Sequence, residues 1–249
     1  MIRTLIAVVY FCLALILMMP WLILWTWLTG DPDFMYWMAM RAIRVANWMV
    51  GIRVRVEGLE NIPPRDCIFA SNHLSNVDPV ALVPSIPRRI ALLVKKELFR
   101  IPILSTAMRS AQFVPVDRSD RDAAIASVNL AVEYLKKGRS FAIFPEGTRS
   151  RDGHLKPFKK GTFVMAIQAG VPIVPVSLVG AQNLMRKGDW VLYPGEVIVR
   201  FGPPVDASQY TMEQRGELLS RVEMLVAAGL PPEQQPLPLP EDSAAAAGD

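Results

Sequence analysis

Two cysteines and two histidines are all that 249 residues contain. Cys12 stands in an apolar run and Cys67 in an apolar segment that reads as a strand. No C-x-x-C pair occurs, so neither a disulfide framework nor a cysteine metal site is supported. This usage fits a reducing compartment. His73 and His154 are too few to build a metal centre from histidines. The chain has no Walker A loop and no G-x-G-x-x-G fingerprint, so a nucleotide fold has no support. Gly138-Arg139-Ser140-Phe141-Ala142 comes within one glycine of G-x-S-x-G. Ser140, however, begins a strand, whereas a nucleophile elbow needs strand, then turn, then helix. No internal repeat is visible.

What is abundant is apolar. Apolar residues make up 51% of the chain and its mean hydropathy is +0.26. That is high for a freely soluble domain and implies contact with lipid. Up to Leu230 there are 27 basic residues against 19 acidic ones, a net +8. A basic body suits an anionic membrane face or phosphate-bearing ligands, and equally ordinary solubilising charge.

Leu5 to Leu28 carries no charge and is long enough to cross a hydrocarbon core of roughly 30 Å as a helix. Trp21, Trp25 and Trp27 gather toward one end, where indoles favour the interface. The run is too long for a signal-peptide core, and no A-x-A site follows it. Pro20 is expected to kink this helix or end it early, so a full span and a shallow insertion both stay open. A second helix, Phe34 to Val50, carries Arg41 and Arg44 on one face. It suits either the membrane interface or packing on the body that follows.

From Gly51 the pattern becomes α/β. Ile52–Val56 alternates apolar residues with Arg, as a half-exposed strand does. Cys67–Ala70, Ile90–Val94, Phe113–Val116, Phe141–Phe144 and Ile173–Val179 read as buried strands. Helical stretches such as Asp122–Lys137 separate several of them. Strands alternating with helices predict a mostly parallel sheet flanked by helices. Val191–Tyr193 and Val197–Phe201 around Pro194-Gly195 read as a hairpin, and Met212–Ala228 as a last helix. The expected organisation is a membrane-associated helical segment (1–50), a catalytic domain (51–230) and a disordered Pro/Ala-rich tail (231–249).

Two polar stretches follow predicted strands. Asn72-His73-Leu74-Ser75-Asn76-Val77-Asp78-Pro79 comes after Cys67–Ala70. Asp78 before Pro79 is expected to cap a helix. A carboxylate beside an imidazole fixes its tautomer and makes it a base; a plain structural hydrogen bond is the alternative. Phe144-Pro145-Glu146-Gly147-Thr148-Arg149-Ser150-Arg151 comes after Phe141–Phe144. Gly147 admits close backbone approach, Arg149 is built for bidentate phosphate contact, and Thr148 and Ser150 offer hydroxyl donors. Lys95, Lys96, Arg118, Lys159 and Lys160 add charge near strand ends. Each alone reads as a surface charge; together they would neutralise a phosphate headgroup.

These blocks resemble the glycerolipid acyltransferase family, the 1-acylglycerol-3-phosphate acyltransferases in particular. His73 and Asp78 match its H-x4-D motif, and Phe144 to Ser150 match F-P-E-G-T-R-S. Val114-Pro115-Val116-Asp117-Arg118 resembles the intermediate block, and Val171-Pro172-Ile173-Val174-Pro175-Val176 the last. The resemblance implies transfer of a fatty acyl group to the sn-2 hydroxyl of 1-acylglycerol-3-phosphate, forming phosphatidic acid. It implies acyl-CoA or an acyl carrier protein thioester as co-substrate, no cofactor and no metal. His73 would be the base and Asp78 its orienting partner. Glu146, Gly147, Thr148 and Arg149, with Arg118, Lys96 and Lys160, would hold the lysophospholipid acceptor. The expected partners also include the membrane, a bacterial inner membrane with the catalytic domain on its cytoplasmic side, and no nucleic acid. A different acceptor, glycerol-3-phosphate or a lyso-aminolipid, and a non-catalytic lipid-binding module are the alternatives.

Overall fold

The computed structural model describes residues 1–117, 120–150, 152–185 and 190–237. Its first element is one long helix, Ile2–Thr29, with hydropathy sufficient to cross a membrane and little of its surface buried. It comprises α1 (Ile2–Leu13), a π-helical turn (Ala14–Met18) and α2 (Met19–Thr29). Pro20 does not end this helix. A proline removes the hydrogen bond to the residue four before it and crowds that carbonyl. The widened π turn lies directly ahead of Pro20 and absorbs the mismatch. Leu5, Ile16, Leu17, Trp21, Trp25 and Trp27 point outward and are exposed.

The chain reverses at Gly30 and returns as α3 (Asp33–Val50). Pro32 is the N-cap, and Asp31 just ahead of it accepts at Oδ1 from the Asp33 amide at 2.8 Å. Of the two placements open for this helix, packing on the body prevails. Tyr36, Met40 and Val50 join the main core. Asn47 donates to the Val80 carbonyl at 2.9 Å and Arg44 to that of Pro84 at 2.5 Å. Arg44 is therefore spent on the body, not turned to headgroups, and a boundary at residue 50 cuts through packed structure.

Seven strands among the described residues form one sheet: β1 (Ile52–Glu57), β2 (Ile68–Ser71), β3 (Ile90–Lys95), β4 (Val114–Val116), β5 (Ser140–Ile143), β6 (Ile173–Val179) and β7 (Gly195–Phe201). Their spatial order is β1-β7-β6-β2-β5-β3-β4. The run β6-β2-β5-β3-β4 is parallel. β7 lies antiparallel to β6 and parallel to β1, so the far edge runs the other way. The sheet is thus mixed, its larger part parallel.

Helices cover both faces. α4 (Val77–Ser85) and the single turn α8 (Ala181–Leu184) share α3's face, over Phe69, Ala142 and Val174. α5 (Pro102–Ser110) packs against α2 through Ile103 and Ala107. α6 (Arg121–Lys136), α7 (Gly161–Ala169) and α9 (Arg215–Ala228) cover Ile68, Phe141, Ile143 and Ile173 on the opposite face. β2 and β5 are buried on both sides, which is why they appear as unbroken apolar runs.

Two expectations fail here. Val191–Tyr193 is not a strand. The Leu192 amide donates to Thr4 Oγ1 at 2.9 Å and the Tyr193 amide to the Leu184 carbonyl at 2.9 Å, so this backbone is tied to α1 and α8 and pairs no strand. Nor is the chain after Leu230 all tail: Pro232–Gln234 forms a 3-10 turn with Gln234 buried. The rest of the expected tail, 238–249, lies outside the described residues.

Candidate active site

β2 and β5 are adjacent and parallel, with Ala70 level with Ile143. Their C-terminal ends therefore release the His73 loop and the Glu146 loop side by side, as ligand-binding crevices in open α/β sheets require. Backbone bonds join the loops. The His73 amide donates to Glu146 Oε1 at 2.7 Å, and the Ser150 amide donates to the His73 carbonyl at 2.8 Å. On the other flank the Asn72 side chain bridges to β6: Nδ2 donates to the Leu178 carbonyl at 2.9 Å, and Oδ1 accepts from the Leu178 amide at 2.7 Å.

The imidazole is held on two sides. Its Nδ1 lies 2.7 Å from Asp78 Oδ2, and its ring stacks on Phe144, centroids 4.2 Å apart at 22°. Asp78 is fully buried. The same Oδ2 also accepts from the amides of Leu74 at 2.6 Å and Ser75 at 2.8 Å. An ionised carboxylate only accepts, so the ring proton sits on Nδ1 and the Nε2 lone pair is left for a substrate. The expected cap is two residues off: α4 begins at Val77, with Asn76 as N-cap, and Asp78 lies in the first turn. From there its side chain reaches back over the loop, which closes the five-residue spacing to His73. The amides of Leu74, Ser75, Val77 and Asp78 are all occupied within this turn. They are not open to an oxyanion.

Glu146 is 2% exposed. Burial pushes its carboxyl up to about 8; the amide hydrogen bond from His73 opposes the rise and the Asp78 charge adds to it. In the unfolded chain the same group titrates near 4.5. The folded state thus binds more protons between those values, and stability falls as pH rises from about 4.5 to about 8. Each pH unit of separation is worth on the order of 1.4 kcal/mol. Glu146→Gln keeps an oxygen for the His73 amide and removes the titration. The expected result is a melting temperature that declines less than the wild type's between about pH 5 and about pH 8. Parallel melting curves across that range would contradict the assignment.

Gly147 adopts φ +72°, a conformation costly for residues with a Cβ. A Cβ there would also lie 3.0 Å from Lys159 Nζ. The lysine over this turn is therefore Lys159; Lys160, the expected one, is exposed at the N-cap of α7. Thr148 is exposed and Arg149 half-buried, one residue from the Ser150 amide that bonds to His73. Lys96 is exposed beyond β3 and ion-paired with Asp117. Arg118 lies outside the described residues.

Some of the surroundings were not foreseen. An apolar cavity of about 210 Å³ lies between the N-terminal helices and the body, lined by Leu15, Met18, Ala39 and Met108. Pro79, the residue after Asp78, also lines it, as does Val80. No local pattern announces it, because its walls come from α1 to α5 together with β3. Phe144 received no role of its own, although an aromatic directly after a buried strand was a usable signal.

Two other nucleophiles, Cys67 and Ser140, are withdrawn. Burial pushes the Cys67 thiol up to about 12. Ser140 is buried at the start of β5, the opposite end from His73; its hydroxyl donates to Asp66 at 3.1 Å and accepts from the Cys67 amide at 3.2 Å.

Residues 53–179 match the family model described as Acyltransferase, a span from β1 to the end of β6 that includes both loops. The chain belongs to the acyltransferase family. It is 35% identical over 191 residues to the 1-acyl-sn-glycerol-3-phosphate acyltransferase of Limnanthes douglasii, covering 76% of this chain and 68% of that protein. It is 33% identical over 206 residues to the protein of the same name from Pseudomonas aeruginosa, covering 81% and 79%. Among solved structures, it is similar to the crystal structure of the 1-acyl-sn-glycerophosphate (LPA) acyltransferase PlsC of Thermotoga maritima. The TM-score is 0.77 and the identity 32%, over 92% of this acyltransferase and 95% of that chain.

Proposed function

We propose that this acyltransferase moves a fatty acyl group from a thioester, acyl-CoA or acyl carrier protein, to the sn-2 hydroxyl of 1-acylglycerol-3-phosphate, forming phosphatidic acid. The observation that carries the reading is the His73–Asp78 pair, held by its loop, with Pro79 directly after Asp78 lining an apolar cavity. His73 Nε2 takes the hydroxyl proton as the acceptor oxygen attacks the thioester carbonyl carbon. Asp78 stabilises the imidazolium that forms. The carbon–sulfur bond breaks, the thiolate leaves, and His73 returns its proton to the sulfur. An ester and a free thiol result, and the step calls for no metal or cofactor.

Arg149 and Lys159, with the turn at Gly147, hold the acceptor's phosphate and turn binding energy into orientation of the hydroxyl. Lys96, Lys160 and Thr148 stand further out, as charge or donors at the rim. The apolar cavity receives an acyl chain; Pro79 in its wall, the residue after Asp78, supports this reading. The helix Ile2–Thr29 is the membrane attachment, keeping the site where acceptor and product reside. Residues 1–30 are the anchor, and α3 with the sheet is the catalytic body. A bacterial inner membrane, with the body on its cytoplasmic side, fits the exposed basic residue Arg41 that follows the apolar run.

Rapid quench with a labelled thioester and no acceptor tests the direct step. The expected result is label in the thioester alone. Label bound to the protein in stoichiometric amount, before product, would mean an acyl-enzyme and overturn the mechanism.

A further inference from the structure

The excursion from Glu146 to Lys160 starts and finishes at the site. Its near parts are tied to the His73 loop, through the Ser150 amide, and to its own base, where the Lys159 amide donates to the Pro145 carbonyl at 3.0 Å. Its far part is tied elsewhere. The Phe158 amide donates to Glu223 Oε2 on α9 at 2.9 Å. The Leu155 amide donates to the Gln234 carbonyl at 2.9 Å. The His154 ring meets the Gln235 carbonyl at 2.9 Å, and since a carbonyl only accepts, Nδ1 is the donor. Gln235 is itself clamped to the end of α9: its Nε2 donates to the carbonyls of Ala227 at 2.6 Å and Leu230 at 2.9 Å. Leu155 and Phe158 are buried in the same core cluster as α9.

We propose that residues 231–237 form a strap that positions the acceptor loop, with His154 and Gln235 as its two positioning residues. The strap lies beyond the span 53–179 that matches the family model. The inference rests on the reading of Arg149 and Lys159 as phosphate contacts. Both flank the tied segment. A strap that slackens lets the loop sample positions in which those cations no longer converge. That loss falls on acceptor binding, because the bonds of Glu146 and Ser150 to the His73 loop lie in the near part, which the strap does not hold.

The test uses the full-length chain in detergent or vesicles. Gln235→Ala removes the strap's side-chain clamp to the end of α9, and His154→Ala removes one of the two bonds between loop and strap. His154→Asn places an amide N–H close to where Nδ1 stands. Gln235→Ala and His154→Ala should each raise the lysophosphatidic acid KM about 3- to 10-fold, the worth of one hydrogen bond. They should leave kcat and the thioester KM within about twofold. Combined, they should do little more than the larger single effect, because both act through one strap. His154→Asn should restore the acceptor KM. Amide exchange at Leu155 should quicken in both alanine variants.

An unchanged acceptor KM overturns the inference. So does a common fall in kcat and rise in both KM values, or His154→Asn behaving as His154→Ala does. Should Gln235→Ala not accumulate, the His154 pair carries the test alone. Arg149→Ala in the same assay separates the two claims. If it raises the acceptor KM while the strap variants do not, the strap fails and the phosphate reading stands. If the strap variants raise it and Arg149→Ala does not, the strap stands and the phosphate reading fails.

Discussion

Replacing His73 with alanine should lower kcat/KM about 10²- to 10⁴-fold, the usual contribution of a general base. That range corresponds to roughly 3–5 kcal/mol of barrier. The fold should tolerate the change. Asp78 Oδ2 keeps two of its three donors, the Leu74 and Ser75 amides, so no buried carboxylate is orphaned. The ring's stacking on Phe144 is lost, but its side chain is already 16% exposed. Initial rates with lysophosphatidic acid and one thioester, beside a thermal melt, check both halves. Asp78→Ala is a poorer experiment: it strips three donors of their acceptor at once and confounds catalysis with stability. Near-wild-type turnover by folded His73→Ala would rule out the base.

The second large effect is expected at Arg149. A charge-assisted contact to phosphate contributes about 1.5–3 kcal/mol, so Arg149→Ala should raise the acceptor KM on the order of 10- to 100-fold. The thioester KM should stay nearly constant, because in the proposed arrangement Arg149 meets the acceptor's phosphate and not the thioester. Arg149→Lys should recover only part of the loss, since a lysine offers charge without the bidentate fork. Equal rises in both KM values would mean that Arg149 supports the crevice as a whole and is no headgroup contact.

Much of this site was legible because β2 and β5 are buried on both faces. Such strands appear as short apolar runs, and the polar residues just past them mark the C-terminal edge of the sheet. β6, Ile173–Val179, falls on the residues its pattern indicated. What local pattern could not carry was pairing between distant segments. Pro194-Gly195 has the composition of a turn, yet Gly195 opens a strand that inserts between β1 and β6. The cavity was hidden for the same reason, since its walls are separated by most of the N-terminal half of the chain. The strap was hidden by composition. Prolines and alanines suggest disorder, and the bonds of Gln234 and Gln235 to Leu155, His154 and the end of α9 reveal that Pro231 to Gln235 is docked. Lys159 and Lys160 were indistinguishable neighbours until the turn at Gly147 singled out one of them.

The most direct measurement is an acceptor panel. The purified chain in phospholipid vesicles, with one labelled thioester, is offered lysophosphatidic acid, glycerol-3-phosphate or a lyso-aminolipid in turn. Label should pass into phosphatidic acid, with kcat/KM for lysophosphatidic acid at least about tenfold above either competitor, the worth of one well-made phosphate and glycerol fit. Preferential labelling of another acceptor, or lipid binding with no transfer at all, would contradict the account.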